Sequence, residues 1–237
     1  MADNRTYYDS CSDHSDVGRE RGYHRFLDEA ELSVAASRCA GRDVLEVGCG
    51  TGLILERIAP MARTATGVDL SPGMLERARE RGLEVHEGNA TELPFEDGSF
   101  DTVVCFKVIA HVEAVEKALR EMARVVRPGG HVVCEFYNTK SLRAWVKNRV
   151  KPGSIGKDGV LDEGDVYLRY DTKESILSYL PEELEFVRWD GIRIISPAAV
   201  PFNIPVFGWV WEGLERAAMQ TPLRNWGGFL VVTLRRT

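Results

Sequence analysis

The sequence predicts an α/β fold in which helices cover both faces of a mostly parallel sheet. From about residue 44 to residue 136, short continuous apolar runs alternate with segments of helical periodicity. This alternation is typical of parallel strands that are buried on both faces. A glycine-rich turn follows the first apolar run, and open α/β sheets bind their ligands at such strand ends. The predicted fold therefore comes with an expected binding site.

Periodicity places the elements in order along the chain. Apolar residues between Arg19 and Arg38 recur at three- and four-residue steps, which predicts an amphipathic helix. The next predicted elements are strands at 44–47, 65–68, 83–86, 102–106 and 131–136 and helices at 53–59, 74–81 and 115–126. Beyond Tyr137 the repeat loosens. The pattern there predicts a helix at 172–180, a strand at 184–195, a helix at 206–219 and a last strand at 229–234.

The bulk composition fits one globular domain. Of the 237 residues, 44% are hydrophobic and 28% are charged, and neither disorder nor a fibrous repeat is indicated. We expect a single domain over residues 1–237. Its expected parts are an N-terminal lid and helix at 1–40, a ligand-binding core at 41–137, and a second half at 138–237 with insertions at 151–164 and 194–219.

Charge and cysteine content argue against several kinds of partner. The formal net charge is −6, and no block of lysines or arginines would follow a phosphate backbone, so nucleic acid is not an expected partner. The five cysteines show no C-x-x-C spacing, which fits thiols in a reducing compartment. The sequence shows neither a signal peptide nor a membrane-length apolar stretch. We therefore expect a cytoplasmic protein without stable membrane insertion.

The glycine-rich turn carries the most specific motif. Glu46 lies within the first apolar run, and glycines follow at positions 48, 50 and 52. Glycine is needed where the backbone adopts positive φ or approaches a ligand closely. A dinucleotide-binding loop has the spacing G-x-G-x-x-G, which this turn does not match. The E-x-G-x-G-x-G pattern instead resembles motif I of the class I S-adenosylmethionine-dependent methyltransferases.

This resemblance continues in register over residues 44–136. It implies a Rossmann-like, seven-stranded, mostly parallel sheet whose last strand is antiparallel. Asp69 follows the second predicted strand, where an acid can accept hydrogen bonds from both ribose hydroxyls; dehydrogenases share such an acid. Residues 87–101 resemble the family's "GDA…LPF…D.SFD" stretch, with Asn89 in place of the acid that holds the adenine amino group. The amide oxygen of Asn89 can still accept that hydrogen bond.

The same resemblance implies the remaining cofactor contacts. Leu70 would offer an apolar face to the adenine, or is ordinary core, and the Ala90 amide would donate to a ring nitrogen. Phe106 and Lys107 should lie beside the methionine part, through backbone groups. The implied cofactor is S-adenosyl-L-methionine, with S-adenosyl-L-homocysteine as product. The implied cofactor-binding residues are Glu46, Gly48, Cys49, Gly50, Gly52, Asp69, Leu70, Asn89, Ala90, Phe106 and Lys107.

His111 is the candidate catalytic residue. It follows the fourth predicted strand in a segment that resembles the family's "EHV" or "HHV", and an unperturbed histidine titrates near neutral pH. It would take the proton of a hydroxyl acceptor, whereas an amine or an enolate-like carbon does not require a dedicated base. The alternative is a histidine that caps or packs against the following helix. The other histidines show no ligand spacing, so no metal is expected.

The methyl acceptor is expected to contact segments outside the cofactor half. Tyr7 and Tyr8 resemble an N-terminal segment that folds over the bound cofactor in many small-molecule methyltransferases, although either is equally well explained as core. Phe207 and Trp211 belong to the aromatic and aliphatic insertion at 194–219, which can wall an apolar or aromatic acceptor. The alternatives for this insertion are a dimer contact or simple core. The chain is accordingly expected to be a monomer or a homodimer.

Within the family, the resemblance is closest to the methyltransferases of ubiquinone and menaquinone biosynthesis and related natural-product enzymes. The expected function is direct in-line transfer of a methyl group from S-adenosylmethionine to an oxygen, carbon or nitrogen of a small metabolite. One alternative is a non-catalytic cofactor-binding subunit that acts as a scaffold. Another is an NAD-dependent oxidoreductase, which the glycine spacing disfavours.

Overall fold

Seven strands form one sheet. The computed structural model describes residues 16, 19, 22–147, 167–204 and 206–237 of the chain. The strands are β1 (Asp43–Val47), β2 (Thr64–Asp69), β3 (Glu84–Glu87), β4 (Phe100–Cys105), β5 (Val126–Tyr137), β6 (Leu184–Ile192) and β7 (Phe229–Arg236).

The strand order is β3-β2-β1-β4-β5-β7-β6. Strands β1 to β5 pair in parallel, whereas β7 lies between β5 and β6 and is antiparallel to both. The predicted mostly parallel sheet with an antiparallel last strand is confirmed. The direction of strand progression reverses between β1 and β4, and open α/β sheets bind ligands at such a switch point.

The helices follow the predicted alternation. They are α1 (Gly22–Cys39), α2 (Leu55–Ile58), α3 (Pro72–Glu80), α4 (Val115–Val125), α5 (Leu142–Lys147), α6 (Lys173–Ser178) and α7 (Phe207–Met219), with 3-10 turns at Ile109–His111, Val200–Asn203 and Pro222–Trp226. Each predicted helix is present with its ends shifted by a few residues. The predicted strand at 184–195 ends earlier, at Ile192, and α5 is a helix that the periodicity did not indicate.

Helices α1 and α4 cover opposite faces of the sheet. Phe26 of α1 is fully buried in the same cluster as Val104, whereas Leu119 of α4 is fully buried in the cluster of Val103. Neighbouring residues of β4 therefore face opposite sides, as strand geometry requires. Burying a side chain such as Phe26 contributes about 1.5–3 kcal/mol. Phe202 of the late insertion stacks on Phe26 with ring centroids 4.8 Å apart, so the insertion packs against α1.

Candidate functional site

The glycine loop joins β1 to α2 at the switch point of the sheet. Gly48, Gly50 and Gly52 adopt positive φ angles of 74°, 52° and 84°, a conformation that favours glycine. Their surroundings differ: Gly48 packs against Val108 and Gly52 against Leu83, but no described atom lies within 4 Å of a Cβ built on Gly50. Gly50 is therefore the loop position open to a ligand. Gly52 serves the packing of the loop.

Asp69 is fixed at the end of β2 by backbone amides. Its Oδ2 accepts a hydrogen bond from the Gly50 N–H at 2.8 Å, and its Oδ1 accepts one from the Ser71 N–H at 2.9 Å. The glycine loop and the acid are thus one hydrogen-bonded unit, although 19 positions separate Gly50 from Asp69. This unit presents an oriented carboxylate beside open backbone.

A cavity of about 600 Å³ lies along the carboxyl ends of β1, β2 and β4. His111 lines it together with Tyr167 and Arg19, neither of which the sequence had singled out for this site. Gly52 is not among the lining residues. The predicted cofactor residues that do line the cavity are Glu46, Gly48, Cys49, Gly50, Asp69, Leu70, Asn89, Ala90, Phe106 and Lys107.

Two of the four predicted acceptor residues belong to the described part of the chain, and neither lies at this cavity. Phe207 and Trp211 are not among its lining residues. Phe207 is 44% exposed, and the Trp211 Nε1–H donates to Ser196 Oγ at 2.6 Å. Helix α7 thus uses Trp211 to hold the preceding loop. Outside the described residues lie Tyr7, Tyr8 and the predicted insertion at 151–164.

Asn89 lines the cavity, but its side chain is engaged locally. Its Oδ1 accepts hydrogen bonds from the Thr91 backbone N–H at 2.9 Å and from Thr91 Oγ1 at 3.0 Å. A carbonyl oxygen has two lone pairs, and this turn uses both. An adenine contact through that oxygen therefore requires the turn to open, which the sequence did not indicate.

The side chain of Lys107 fastens α1 to the end of β4. Its Nζ lies 2.9 Å from Asp28 Oδ1 and 2.9 Å from Glu31 Oε1. Burial alone would lower the pKa of Lys107, but Glu31 and Asp28 outweigh it, so this pKa is raised. The family resemblance predicts only backbone contacts from Lys107. The missed signal was two acids, now 1% and 0% exposed, near the apolar stripe of a predicted helix.

Two further carboxyl groups are buried beside these ion pairs. Glu46 is 3% exposed, lines the cavity, and has an Oε2 with no hydrogen-bond donor among the described residues. Burial, followed by the charge of Glu31, raises the pKa of Glu46 well above its usual range. The same two causes raise the pKa of Glu135 on β5. Burial thus favours the protonated form of both acids.

Two N-terminal residues lie at the glycine loop. Asp16 Oδ1 accepts a hydrogen bond from Thr51 Oγ1 at 2.6 Å, and its Oδ2 accepts one from Arg81 Nη2 at 2.8 Å. The Arg19 guanidinium lines the cavity and lies 2.8 Å from Asp28 Oδ1. Periodicity marked Arg19 only as the start of a helix. Its place at the site is held by the ion pair with Asp28, nine positions along the chain.

His111 has an oriented ring. Its Nδ1 lies 3.0 Å from the backbone carbonyl oxygen of Tyr167. Because a carbonyl only accepts, Nδ1 carries the proton and Nε2 is the acceptor nitrogen of the neutral ring. The Arg169 N–H donates to the Ala110 carbonyl at 2.8 Å, so residues 167–169 run along the turn that holds His111. No local motif could indicate this contact between residues 56 positions apart.

Within residues 22–147, 167–204 and 206–237, together with 16 and 19, no three His, Cys, Asp or Glu side chains form a group that could hold a metal ion. No helix in the described part of the chain is both long and apolar enough to cross a membrane.

Three features together define the class I S-adenosylmethionine-dependent methyltransferase fold. They are the sheet order, the acid in β1 with the glycine loop that follows it, and the oriented acid at the end of β2. Residues 45–134 also match the family model described as a methyltransferase domain. The fold and the family match of this part of the chain thus support a class I methyltransferase domain, as its motifs predicted.

Curated relatives match the same part of the chain. Over 97 residues it is 45% identical to a probable S-adenosylmethionine-dependent methyltransferase of Mycolicibacterium smegmatis, a match covering 40% of this chain and 38% of the relative. Over 122 residues it is 38% identical to a demethylmenaquinone methyltransferase of Tropheryma whipplei, covering 47% of this chain and 50% of the relative. The matches thus span half or less of the length of these relatives.

A solved structure matches nearly the whole chain. The magnesium protoporphyrin IX methyltransferase of Synechocystis, with bound SAH, has a TM-score of 0.66 at 16% sequence identity. The match covers 99% of this chain and 98% of that chain. At this identity the likeness shows the fold alone.

Proposed function

We propose that the chain transfers a methyl group from S-adenosylmethionine to a small-molecule acceptor. One observation carries the proposal: a single cavity is lined by the glycine loop, the oriented carboxylate of Asp69 and the oriented ring of His111. A cofactor site and a candidate base therefore face the same space.

The residues of the cavity fit the cofactor at four places. The backbone at Gly50 admits close approach, and Asp69 presents a carboxylate suited to sugar hydroxyls. Glu46 has a buried oxygen that lacks a donor among the described residues, and an ammonium group would supply that donor. The Arg19 guanidinium is a matching cation for the carboxylate of the cofactor's methionine part. When bound, the cofactor supplies an activated methyl group on a sulfonium.

His111 would manage the acceptor's proton. For a hydroxyl acceptor, His111 Nε2 would take the hydroxyl proton, and the bound cofactor would supply the methyl group to the acceptor oxygen and leave as its thioether. The Tyr167 carbonyl holds the Nδ1–H side of the ring during this step. A positioned general base typically contributes about 10²–10⁴-fold to the rate. Holding the acceptor in line with the methyl can lower the barrier by a further ~7–11 kcal/mol.

The acceptor is proposed to be a small, aromatic compound. A cavity of about 600 Å³ is of the size that binds small molecules, and one relative is named for demethylmenaquinone. We place the acceptor against His111 and Tyr167, which line the cavity, rather than against Phe207 and Trp211, which do not. We also propose that the N-terminal segment with Tyr7 and Tyr8 caps the acceptor pocket.

The two alternatives fit the site less well. A non-catalytic scaffold subunit would need the cofactor site but has no use for an oriented histidine at the cavity wall. An NAD-dependent oxidoreductase would need the G-x-G-x-x-G spacing, whereas the loop here places its glycines at 48, 50 and 52.

The test is acceptor-dependent formation of S-adenosylhomocysteine. The purified chain is incubated with S-adenosylmethionine and a panel of phenols and naphthoquinols, and products are followed by mass spectrometry. We expect methylated product from at least one acceptor, and His111→Gln should lower its formation by about 100-fold or more without changing cofactor affinity. His86→Gln, on the exposed edge strand β3, is the matched control. If the chain bound the cofactor but formed no product from any acceptor, the proposed methyltransferase activity would be contradicted and the non-catalytic scaffold subunit would be favoured.

A further inference from the structure

Asp28 of α1 joins two cations of the cavity wall. Its Oδ1 accepts hydrogen bonds from Arg19 Nη2 at 2.8 Å and from Lys107 Nζ at 2.9 Å. Arg19 and Lys107 both line the cavity, whereas Asp28 is 1% exposed and does not line it. Asp28 can therefore act on a ligand in the cavity only through these two cations.

The carboxylate of Asp28 is kept ionised although it is buried. Burial alone would raise the pKa of Asp28, but the charges of Lys107 and Arg19 outweigh it, so this pKa is lowered. Glu31, the second acid at Lys107, is fully buried, and burial raises its pKa. Asp28 is thus the acid that supplies negative charge to both cations. Because one carboxylate is shared by two cations, it does not cancel the charge of Arg19.

Arg19 keeps hydrogen-bonding capacity beyond its contact with Asp28. Its Nη2 donates to Asp28, but its buried Nε has no acceptor among the described residues. On the same cavity wall, the buried Oε2 of Glu46 has no donor in the described part of the chain. An unused donor and an unused acceptor together suit the carboxylate and the ammonium of an amino-acid group.

Lys107 depends on its acidic partners because its backbone is strained. It adopts a φ of 60°, in the left-handed region that residues other than glycine rarely occupy. Such strain persists only where the surrounding structure enforces it. The contacts of Lys107 Nζ with Asp28 and Glu31 do so here. Removing Asp28 could therefore affect the cavity through the fold as well as through Arg19, and a test must separate these two routes.

We propose that Asp28 is a positioning residue, which holds the Arg19 guanidinium against the carboxylate of the cofactor's methionine part. This inference rests on the proposed function and assigns a role to a residue that does not itself touch the cofactor. A free arginine side chain loses rotamer freedom when it binds a ligand. The hydrogen bond from Arg19 Nη2 to Asp28 fixes the side chain beforehand and leaves Nε and the other nitrogen for the ligand.

The test compares S-adenosylhomocysteine with its decarboxylated analogue, S-adenosyl-3-thiopropylamine, which keeps the amine and the adenosine. Calorimetry on the unaltered chain should show S-adenosylhomocysteine binding about tenfold or more tightly than the analogue. Asp28→Asn keeps the shape of the side chain and removes its charge. It should reduce this preference to about threefold or less while the affinity for the analogue stays within about twofold. Glu29→Gln is the matched control, on an acid of the same helix that pairs with Arg25 and Arg216, and it should keep the full preference.

A second variant tests the inference even if Asp28→Asn does not fold. Arg19→Gln removes the guanidinium and leaves Asp28 paired with Lys107. It should lose the preference for S-adenosylhomocysteine to the same extent as Asp28→Asn. The double variant should lose no more than Arg19→Gln alone, because residues that act as one unit do not have additive effects. An intact preference in Arg19→Gln would overturn the inference.

The remaining outcomes are equally decisive. If Asp28→Asn weakened both ligands equally, Asp28 would serve the fold around Lys107 and not the cofactor's carboxylate. An unchanged or larger preference in Asp28→Asn, additive losses in the double variant, or equal binding of both ligands to the unaltered chain would also overturn the inference. Failure of the proposed function is distinguishable, because the unaltered chain would then not bind S-adenosylhomocysteine at all.

Discussion

The two halves of the chain reach the site in different ways. In residues 43–137, each predicted cofactor residue that lines the cavity lies at the end of a strand or within a few positions after it, so the parallel sheet alone gathers these residues at one edge. In the described part of residues 138–237, Tyr167 is the only residue that lines the cavity, and it orients His111 through one backbone carbonyl. Topology therefore fixes the predicted cofactor site, whereas the proposed acceptor site depends on contacts between distant segments.

The largest expected effect comes from breaking the cofactor half. Asp69→Ala removes the carboxylate that the Gly50 and Ser71 amides orient. Hydrogen bonds to a charged group contribute about 1.5–3 kcal/mol each, so calorimetry should show S-adenosylmethionine binding weaker by about 100-fold or more. Asp97→Ala removes an acid that is 75% exposed and should change nothing. Equal affinities of Asp69→Ala and the unaltered chain would exclude Asp69 from the site.

The cofactor half could be predicted because its signals are local. Strand periodicity and the glycine spacing span about ten residues, and Asp69 needs only the next strand of the same sheet. Register in a parallel sheet then places Gly50 within hydrogen-bond distance of Asp69. No long-range information was required beyond the fold class.

The remaining contacts could not be predicted because their partners are far apart in sequence. Lys107 pairs with Asp28 across 79 positions. The aromatic composition around Phe207 and Trp211 indicates an apolar face but not the direction in which α7 turns it. In the structure, the Trp211 indole holds the Ser196 loop instead of lining the cavity.

The second expected effect is on the pH dependence of stability and concerns the buried Glu135 of β5. Glu135 is 1% exposed, and burial raises its pKa well above the usual range. The pKa of Glu135 is higher in the folded state than in the unfolded state. The contribution of its protonated form to the free energy of unfolding is therefore complete below about pH 4.3. This contribution is lost as the pH rises through the folded-state pKa. Glu135→Gln should therefore flatten the decline of unfolding free energy with pH, by up to about 1.4 kcal/mol per pH unit.

Urea unfolding at a series of pH values measures this slope. Glu185→Gln, on an exposed acid of β6, is the matched control and should leave the slope as it is. Identical slopes for Glu135→Gln and the unaltered chain would show that the ionisation of Glu135 is not opposed by burial.

The smallest expected effect is on stability and concerns Trp211 in the second half of the chain. Trp211→Phe keeps a large ring but removes the donor to Ser196. One hydrogen bond contributes a net 0.5–1.5 kcal/mol, so the free energy of unfolding should fall by about 1 kcal/mol. The KM for the acceptor should stay constant. A higher acceptor KM at unchanged stability would instead place Trp211 at the acceptor, as the composition of the insertion at 194–219 indicates.

The central claim is that the cavity at the glycine loop binds S-adenosylmethionine rather than a dinucleotide. Calorimetric titration of the unaltered chain with S-adenosylmethionine, S-adenosylhomocysteine and NAD tests it most directly. The account predicts that the first two compete for a single site and that NAD neither binds there nor displaces them. NAD that displaces S-adenosylhomocysteine, or a chain that binds neither S-adenosyl compound, would contradict the claim.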